Sequence, residues 1–202
     1  MLIYIVRHGL TEWNKLKKLQ GIADVPLAEE GILLAEKTGE ALRGVKFDIC
    51  FTSPLSRARQ TAERVLGKRD VPIIPDKRIQ EINFGVLEGD QVRDAAGNYI
   101  DPQIETFFRD PVNFKRPEIG EDIFDVIART KDFWDEKTSD PALADKTILV
   151  ASHGCAVRAL LQNVDPDPKN FWRGCVPPNC CVNLVEVKNG KTMLLEEDKV
   201  YA

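Results

Sequence analysis

Two histidines occur in the chain, and both follow the same kind of segment. His8 comes after Leu2-Ile3-Tyr4-Ile5-Val6-Arg7 and before Gly9, and His153 comes after Thr147-Ile148-Leu149-Val150-Ala151-Ser152 and before Gly154. An imidazole with a reference pKa near ~6.5 offers a nucleophilic lone pair at neutral pH. Apolar, β-branched runs of this length bounded by glycine read as strands buried on both faces of a largely parallel sheet. Ligands bind such sheets just past the C-terminal strand ends, so the two imidazoles are candidates to face each other across one cleft. Two unrelated core histidines are the plainer alternative, but the repeated strand-histidine-glycine arrangement weighs against it.

A third segment, Ser53-Pro54-Leu55-Ser56-Arg57-Ala58-Arg59-Gln60-Thr61-Ala62, also starts where an apolar run stops. It places Arg57 in the first turn of a helix, where free N–H groups and the helix dipole already favour an anion. Arg7, Arg57, two imidazoles and a helix N-terminus aimed at one point describe a phosphate pocket. Nearby arginines disfavour the imidazolium, which keeps His8 neutral and able to attack phosphorus. Arg7, Arg57 and a protonated His153 would neutralise the equatorial oxygens of a transferring phosphoryl group. The leaving alkoxide needs a proton, and a carboxylic acid can supply it. Glu81, which follows the strand at 71–75, is the first choice and Glu88 the rival.

Strand and helix alternate along most of the chain. A strand at 2–7 is followed by a helix over roughly 29–43, with Ile32, Leu33, Ala35 and Leu42 as its apolar positions and Gly44 as its stop. A strand over 47–52 leads to a helix running to about Leu66, with Ser53 as N-cap and Pro54 in its first turn. A short strand at 71–75 is flanked by prolines and belongs near an edge. Helix-rich sequence over 100–137 precedes the strand ending at His153 and a further helix. A hairpin, 181–187 and 192–196, turns at Asn189-Gly190. This pattern predicts one domain over 1–202, a three-layer α/β/α sandwich with a mainly parallel sheet. The irregular segment at about 88–120, broken by glycines and prolines, is expected to be a helical and loop cap over the C-terminal strand ends. Its Phe107, Phe108, Phe114, Lys115 and Arg116 hint at a partly apolar leaving group beside an anionic one, although aromatics there also serve simply to pack the cap onto the body.

The 202 residues are 43% hydrophobic and 30% charged, with a net charge of −4. Those proportions suit a water-soluble globular chain, and the scattered basic residues argue against nucleic acid as a partner. No run approaches the roughly 18 apolar residues of a membrane span. The first residues are too short and wrongly flanked for a signal peptide, so a cytoplasmic location is expected. Five cysteines without a secretion signal are expected to be free thiols. The group Cys175, Cys180 and Cys181 lacks a familiar zinc spacing and reads as small buried side chains.

Arg7-His8-Gly9, the Ser-Pro-Leu-x-Arg-x-x-x-Thr-Ala stretch, Glu81 with its following glycines and Ser152-His153-Gly154 resemble the histidine phosphatase superfamily, in its phosphoglycerate-mutase-like branch. The resemblance runs in order from residue 2 to about 185, and Gln20-Gly21, Asp24, Pro26-Leu27 and Gly31 match that branch's second loop. It implies that His8 is the phosphorylated nucleophile and Glu81 the proton donor. It further implies that Arg7, Asn14, Arg57 and His153 bind phosphate, that Gly154 offers a backbone N–H, and that neither metal nor other cofactor is needed. Leu10 stands where many relatives carry Glu or Gln. Mutase members typically have Arg-His-Tyr after the acidic donor, where this chain has Ile82-Asn83-Phe84, and it is shorter than typical mutases. The expected function is therefore a metal-independent phosphomonoesterase acting on a small phosphorylated metabolite. A 2,3-bisphosphoglycerate-dependent phosphoglycerate mutase and a catalytically inactive phosphate-binding module remain the alternatives. Cap or edge-strand pairing offers routes to a homodimer.

Overall fold

In the computed structural model, which describes residues 1–201, the apolar runs form one six-stranded sheet. The strands are β1 (Leu2–Arg7), β2 (Ile49–Thr52), β3 (Ile73–Pro75), β4 (Thr147–Ser152), β5 (Val182–Lys188) and β6 (Lys191–Lys199), in the order β3-β2-β4-β1-β5-β6. The four strands β3, β2, β4 and β1 run parallel, while β5 pairs antiparallel with β1 and β6 antiparallel with β5. The hairpin turns at Asn189 and Gly190, both with positive φ (52° and 71°), as a two-residue turn of the mirror-image type demands. Short, proline-flanked β3 lies at an edge, as its sequence predicts.

The central strands are buried on both faces because helices cover both. On one side lie α2 (Glu29–Ala41) and α3 (Ser56–Leu66), packed on Val6, Leu149 and Ala151; on the other lie α5 (Ile123–Ser139) and α6 (Gly154–Leu161), packed on Ile3, Ile5, Ile148 and Val150. The two-residue side-chain period thus divides each strand between two cores. Helices α2 and α3 approach closely at Gly39, where an added Cβ would lie 2.6 Å from the Val65 carbonyl oxygen.

Several local expectations give way to the tertiary structure. Phe47 precedes β2 and instead fills the α2/α3 core, its ring edge-on to Tyr4 at 5.3 Å. The apolar face of α2 is narrower than expected: Gly31, Ala35, Thr38 and Gly39 are buried, whereas Leu33 is 53% exposed. That helix also ends before Gly44, at Ala41. Helix α3 starts at Ser56 with Leu55 as its uncapped N-cap, so Ser53 does not cap it. The remaining helices are α1 (Glu12–Lys15) and α4 (Pro102–Arg109).

The segment 88–120 contains α4 and a 3-10 turn at Pro111–Asn113. A third apolar cluster joins it to the body, and Phe107 stands at its centre. Its ring meets Phe84, Phe114 and Trp172 edge-on at 4.8, 5.1 and 5.1 Å, and its carbonyl accepts the Trp172 indole N–H at 2.9 Å.

Candidate active site

The register of β1 on β4 brings the two histidines together. Arg7 is opposite Ser152, so His8 and His153 each stand one residue beyond adjacent, parallel strand ends, and the His8 N–H still reaches the Ser152 carbonyl at 2.9 Å. The imidazole centroids are 5.2 Å apart. Beyond His8 the chain turns against α2: a Cβ on Gly9 would lie 2.6 Å from the Gly31 oxygen, and the Gly9 N–H donates to the Thr61 hydroxyl at 2.9 Å. Glycine at both positions allows that backbone contact. The His8 Nδ1 lies 2.7 Å from the Gly9 carbonyl, which can only accept. Nδ1 therefore carries the hydrogen and Nε2 the lone pair. Burial, then Arg57 and Arg7, hold the His8 pKa well below the ordinary imidazole value, while the Gly9 bond acts weakly the other way.

His153 is also neutral, contrary to the protonated form expected from sequence. The Arg57 Nε–H donates to its Nδ1 at 3.1 Å, and a guanidinium cannot accept in return. Its other nitrogen, Nε2, then carries the hydrogen and donates to the Ser53 hydroxyl at 2.7 Å. Burial first, followed by Arg57 and His8, pushes its pKa well below the usual range. Arg57 itself is fixed by the Ala23 and Gly21 carbonyls at 2.8 and 2.5 Å. Three of its five N–H groups are thereby engaged and two remain.

Glu81 reaches the same place from another direction. Its backbone is clamped by Arg129 of α5, whose guanidinium donates to the carbonyls of Arg78, Gln80 and Glu81 at 2.7, 2.7 and 3.0 Å. The Glu81 carboxyl group lies at the N-terminus of α6, accepting from the Cys155 and Ala156 N–H groups at 3.2 and 3.3 Å and from Ile82 at 2.9 Å. Burial raises its pKa, against the lowering influence of those N–H groups, Arg57 and Arg7. The rival, Glu88, is otherwise engaged: its carboxylate accepts from the N–H groups of Gly21, Ile22, Ala23 and Phe84. It therefore holds the 21–23 loop whose carbonyls hold Arg57.

A cleft of about 500 Å³ opens over Arg7, Asn14, Gln20, Glu81, Gly154 and Asn179. Arg7 donates through Nη1 to the Pro177 carbonyl, and its buried Nε has no protein partner. A Cβ on Gly154 would lie 3.6 Å from both Arg7 Nε and Glu81 Oε2, so these three groups converge. Gln20 presents a second buried donor without a partner, Nε2, because its Oε1 is taken by the Thr11 hydroxyl and the Asn14 amide at 2.9 and 3.1 Å. Two such donors beside this cleft suit an anionic oxygen.

Four participants were not singled out by sequence reasoning. The Asn179 amide lies within 3.0–3.2 Å of His8 O, Gly9 O and Asn14 Oδ1, tying the loop before β5 to the His8 backbone. Ser53, Thr61 and Arg129 likewise act through neighbours distant in sequence. Lys115 and Arg116 do not line the cleft, and Arg116 is paired with Asp125 at 2.5 Å. Among the cysteines, Cys175 is exposed rather than buried, and all five are free. No cluster of three metal-ligating side chains exists among the described residues, and no helix there is long and apolar enough to cross a membrane.

Residues 3–198 match the sequence profile described as histidine phosphatase superfamily (branch 1). The chain belongs to that superfamily. Its relatives within the superfamily carry different names. A 2,3-bisphosphoglycerate-dependent phosphoglycerate mutase 2 of Gloeobacter violaceus is 34% identical over 167 residues, covering 81% of this chain and 75% of that one. Bacillus stearothermophilus YhfR superposes with a TM-score of 0.89 at 30% identity, covering 98% and 97% of the two chains. A phosphoserine phosphatase of Entamoeba histolytica, solved with 3-phosphoglyceric acid, superposes with a TM-score of 0.81 at 25% identity, covering 96% and 95%.

Two buried neutral imidazoles give this superfamily member a defined response to acid. Unfolded, each histidine takes up a proton below about pH 6.5. Folded, both resist protonation, so stability falls as the pH drops below that value. The limit is about 1.4 kcal/mol per histidine per pH unit, or roughly 3–4 °C of Tm in a chain of this size. Glu81 has the opposite sign, since protonation relieves its burial, and offsets part of the loss. We expect Tm to fall between about pH 7 and 5.5 and to be nearly flat there in H8N/H153N, as measured by calorimetry. An equal decline in both proteins would contradict neutral burial.

Proposed function

We propose that the chain is a phosphomonoesterase that moves the phosphoryl group of a small phosphorylated metabolite first to His8 and then to water. The His8 Nε2 lone pair attacks phosphorus, the P–O ester bond breaks, and the departing alkoxide takes the proton of Glu81. The resulting carboxylate then takes a proton from water as that water attacks phosphorus, the P–N bond breaks, and His8 regains its lone pair. Arg7, the remaining N–H groups of Arg57, the Asn14 side chain and the Gly154 N–H hold the phosphoryl oxygens. His153 contributes as a neutral, hydrogen-bonded group that orients Arg57. The tautomer of His8 and the raised pKa of Glu81 support these roles.

The residues after Glu81 carry the choice of hydrolysis over mutation. A mutase must hold the phosphoglycerate carboxylate while the molecule reorients in a closed site, which needs charged partners for it. Here Ile82 and Phe84 are buried in the cap's apolar cluster, and Phe84 walls the cleft. Asn83 faces the 119–121 loop, donating to the Ile119 carbonyl at 2.9 Å while accepting from the Gly85 N–H at 2.8 Å. None of the three brings charge to the substrate, so a carboxylate held beside Glu81 has no cationic partner in this segment, and the cations of the cleft, Lys17, Lys18 and Arg93, belong to the first loop and the cap. The names of the curated relatives favour the mutase reading, and 3-phosphoglycerate separates the two. With a trace of 2,3-bisphosphoglycerate, phosphorus NMR should show negligible 2-phosphoglycerate and at most slow release of inorganic phosphate. Isomerisation faster than release would make the mutase reading correct.

His8→Ala should leave less than about a hundredth of the wild-type rate, because the other nucleophilic groups at the strand ends are engaged, His153 between Arg57 and Ser53, and Ser152 with the Ile79 carbonyl. Labelled substrate quenched without acid should leave phosphate on His8 in a linkage labile to acid and stable to base. Retention of substantial turnover by the variant would remove the covalent path.

Glu81→Gln should slow alkyl phosphates by ten- to a thousandfold and a nitrophenyl phosphate far less, since a phenolate departs without a proton. Steady-state rates on the two substrate types are the measurement. Equal losses on both, with the leaving-group dependence appearing in Glu88→Gln, would move the acid to Glu88.

A further inference from the structure

The cleft, at about 500 Å³, has room for more than a phosphate: its near end is where Arg7, Glu81 and Gly154 converge, and the remainder, its far end, has a lining of two kinds. Phe84, Phe107, Phe108 and Trp172 wall it, with Leu10 and Val176 continuing the apolar surface. The same cleft is also lined by Lys17, Lys18 and Arg93. None of the three makes an ion pair among the described residues, although Lys15, two positions earlier, bridges Glu12 and Glu30 at 3.1 and 2.9 Å.

These cations are also held in place. Residues 17–19 run against the start of the cap, where Val92 N–H donates to Lys17 O at 3.0 Å, Leu19 N–H to Asp90 O at 2.8 Å, and Gly89 N–H to Leu19 O at 2.9 Å. Lys17 adopts a left-handed backbone (φ 55°) within this pairing, a conformation unfavourable for a lysine and imposed by its context. Arg93 lies flat over Tyr99, 3.7 Å from the ring centroid, and donates to the Gly97 carbonyl at 2.6 Å. Lys18 sits over the Trp13 ring at 5.6 Å. Backbone pairing at Lys17 and ring contacts at Lys18 and Arg93 order this group while no carboxylate neutralises it, so part of the ordering cost of binding an anion is met beforehand.

We propose that Lys17, Lys18 and Arg93 form a second anion-binding subsite, and that the substrate is a phosphomonoester bearing a further carboxylate or phosphate beyond an apolar or aromatic middle. This rests on the reading of the near end as the phosphoryl site. Exposed cations act through a high dielectric and are screened by salt, so the effect is selectivity among esters. Wild-type kcat/KM for 4-carboxybenzyl phosphate should exceed that for benzyl phosphate about tenfold at low salt. The ratio should shrink in 0.5 M salt and fall to about one in K17Q/K18Q/R93Q.

Calorimetry with stable phosphonates tests the subsite independently of turnover. 4-Carboxybenzylphosphonate and 1,4-bis(phosphonomethyl)benzene should each bind more tightly than benzylphosphonate to wild type and no more tightly to the variant; which of the two gains more identifies the preferred anion. If neither ester releases phosphate, the hydrolytic reading fails while phosphonate binding still decides the subsite. Equal binding of all three phosphonates to wild type, or a preference that survives in the triple variant with its fold intact by circular dichroism, would overturn the proposal.

Discussion

The parallel pairing of β1 with β4 is the constraint on which the rest of the cleft depends. Because Arg7 and Ser152 are partners in that ladder, the residues one step beyond are forced side by side, and both are histidine. A slip of one residue in this register would send alternate side chains to the wrong core and separate the imidazoles. The split of Ile3, Ile5, Ile148 and Val150 toward α5 and α6, against Val6, Leu149 and Ala151 toward α2 and α3, makes such a slip costly. Hydrophobic patterning in the sheet thus specifies the geometry of a polar site that contributes little to it.

The second constraint is electrostatic. Arg7 and Arg57 bring positive charge into a buried place, and burial draws Arg57 down to a pKa of about 10, which leaves it charged at neutral pH. Burial first, and then the presence of these arginines, disfavours any further cation, so both imidazoles stay neutral. The Glu81 carboxyl is subject to opposing influences. A helix N-terminus stabilises a carboxylate by about 0.3–2 kcal/mol, and the arginines add to that. Removal from water can outweigh both, since it displaces buried carboxyl groups by up to several pKa units. The net direction is upward, which suits the proton-donating role proposed for it.

Much of this was legible in the sequence for a physical reason. Apolar runs announce buried strands, glycine announces the turn at their ends, and the C-terminal ends of parallel strands are where side chains gather. His8, His153 and Arg57 needed only that logic, and Asn189-Gly190 announced its hairpin equally plainly. What stayed hidden depends on contacts between segments far apart in the chain. Asn179 stands in an irregular loop, and only the path of the chain before β5 brings it to the His8 backbone. Ser53 looks like a helix cap in isolation, yet a histidine one hundred positions away takes its hydroxyl. The neutral state of His153 is not legible in the sequence, where only the charge of an expected ligand bears on it. The Arg57 Nε–H that occupies its Nδ1 is visible only in three dimensions.

The two ends of the cleft are built on different principles, and this bears on how the superfamily diversifies. The phosphoryl end is fixed by strand register, strand-end turns and Glu88, which bonds four backbone N–H groups and so immobilises the loop that grips Arg57. Changing any of these disturbs the others. The far end is carried by the first loop and the cap, where Phe108 and Arg93 rest on Tyr99 and Trp172 through stacking. Stacked contacts tolerate substitution more readily than a buried hydrogen-bond network does, because a replaced ring leaves no unsatisfied donor. On the function proposed above, substrate choice can therefore change at the far end without disturbing the histidine end, which is consistent with relatives that carry different names on one fold.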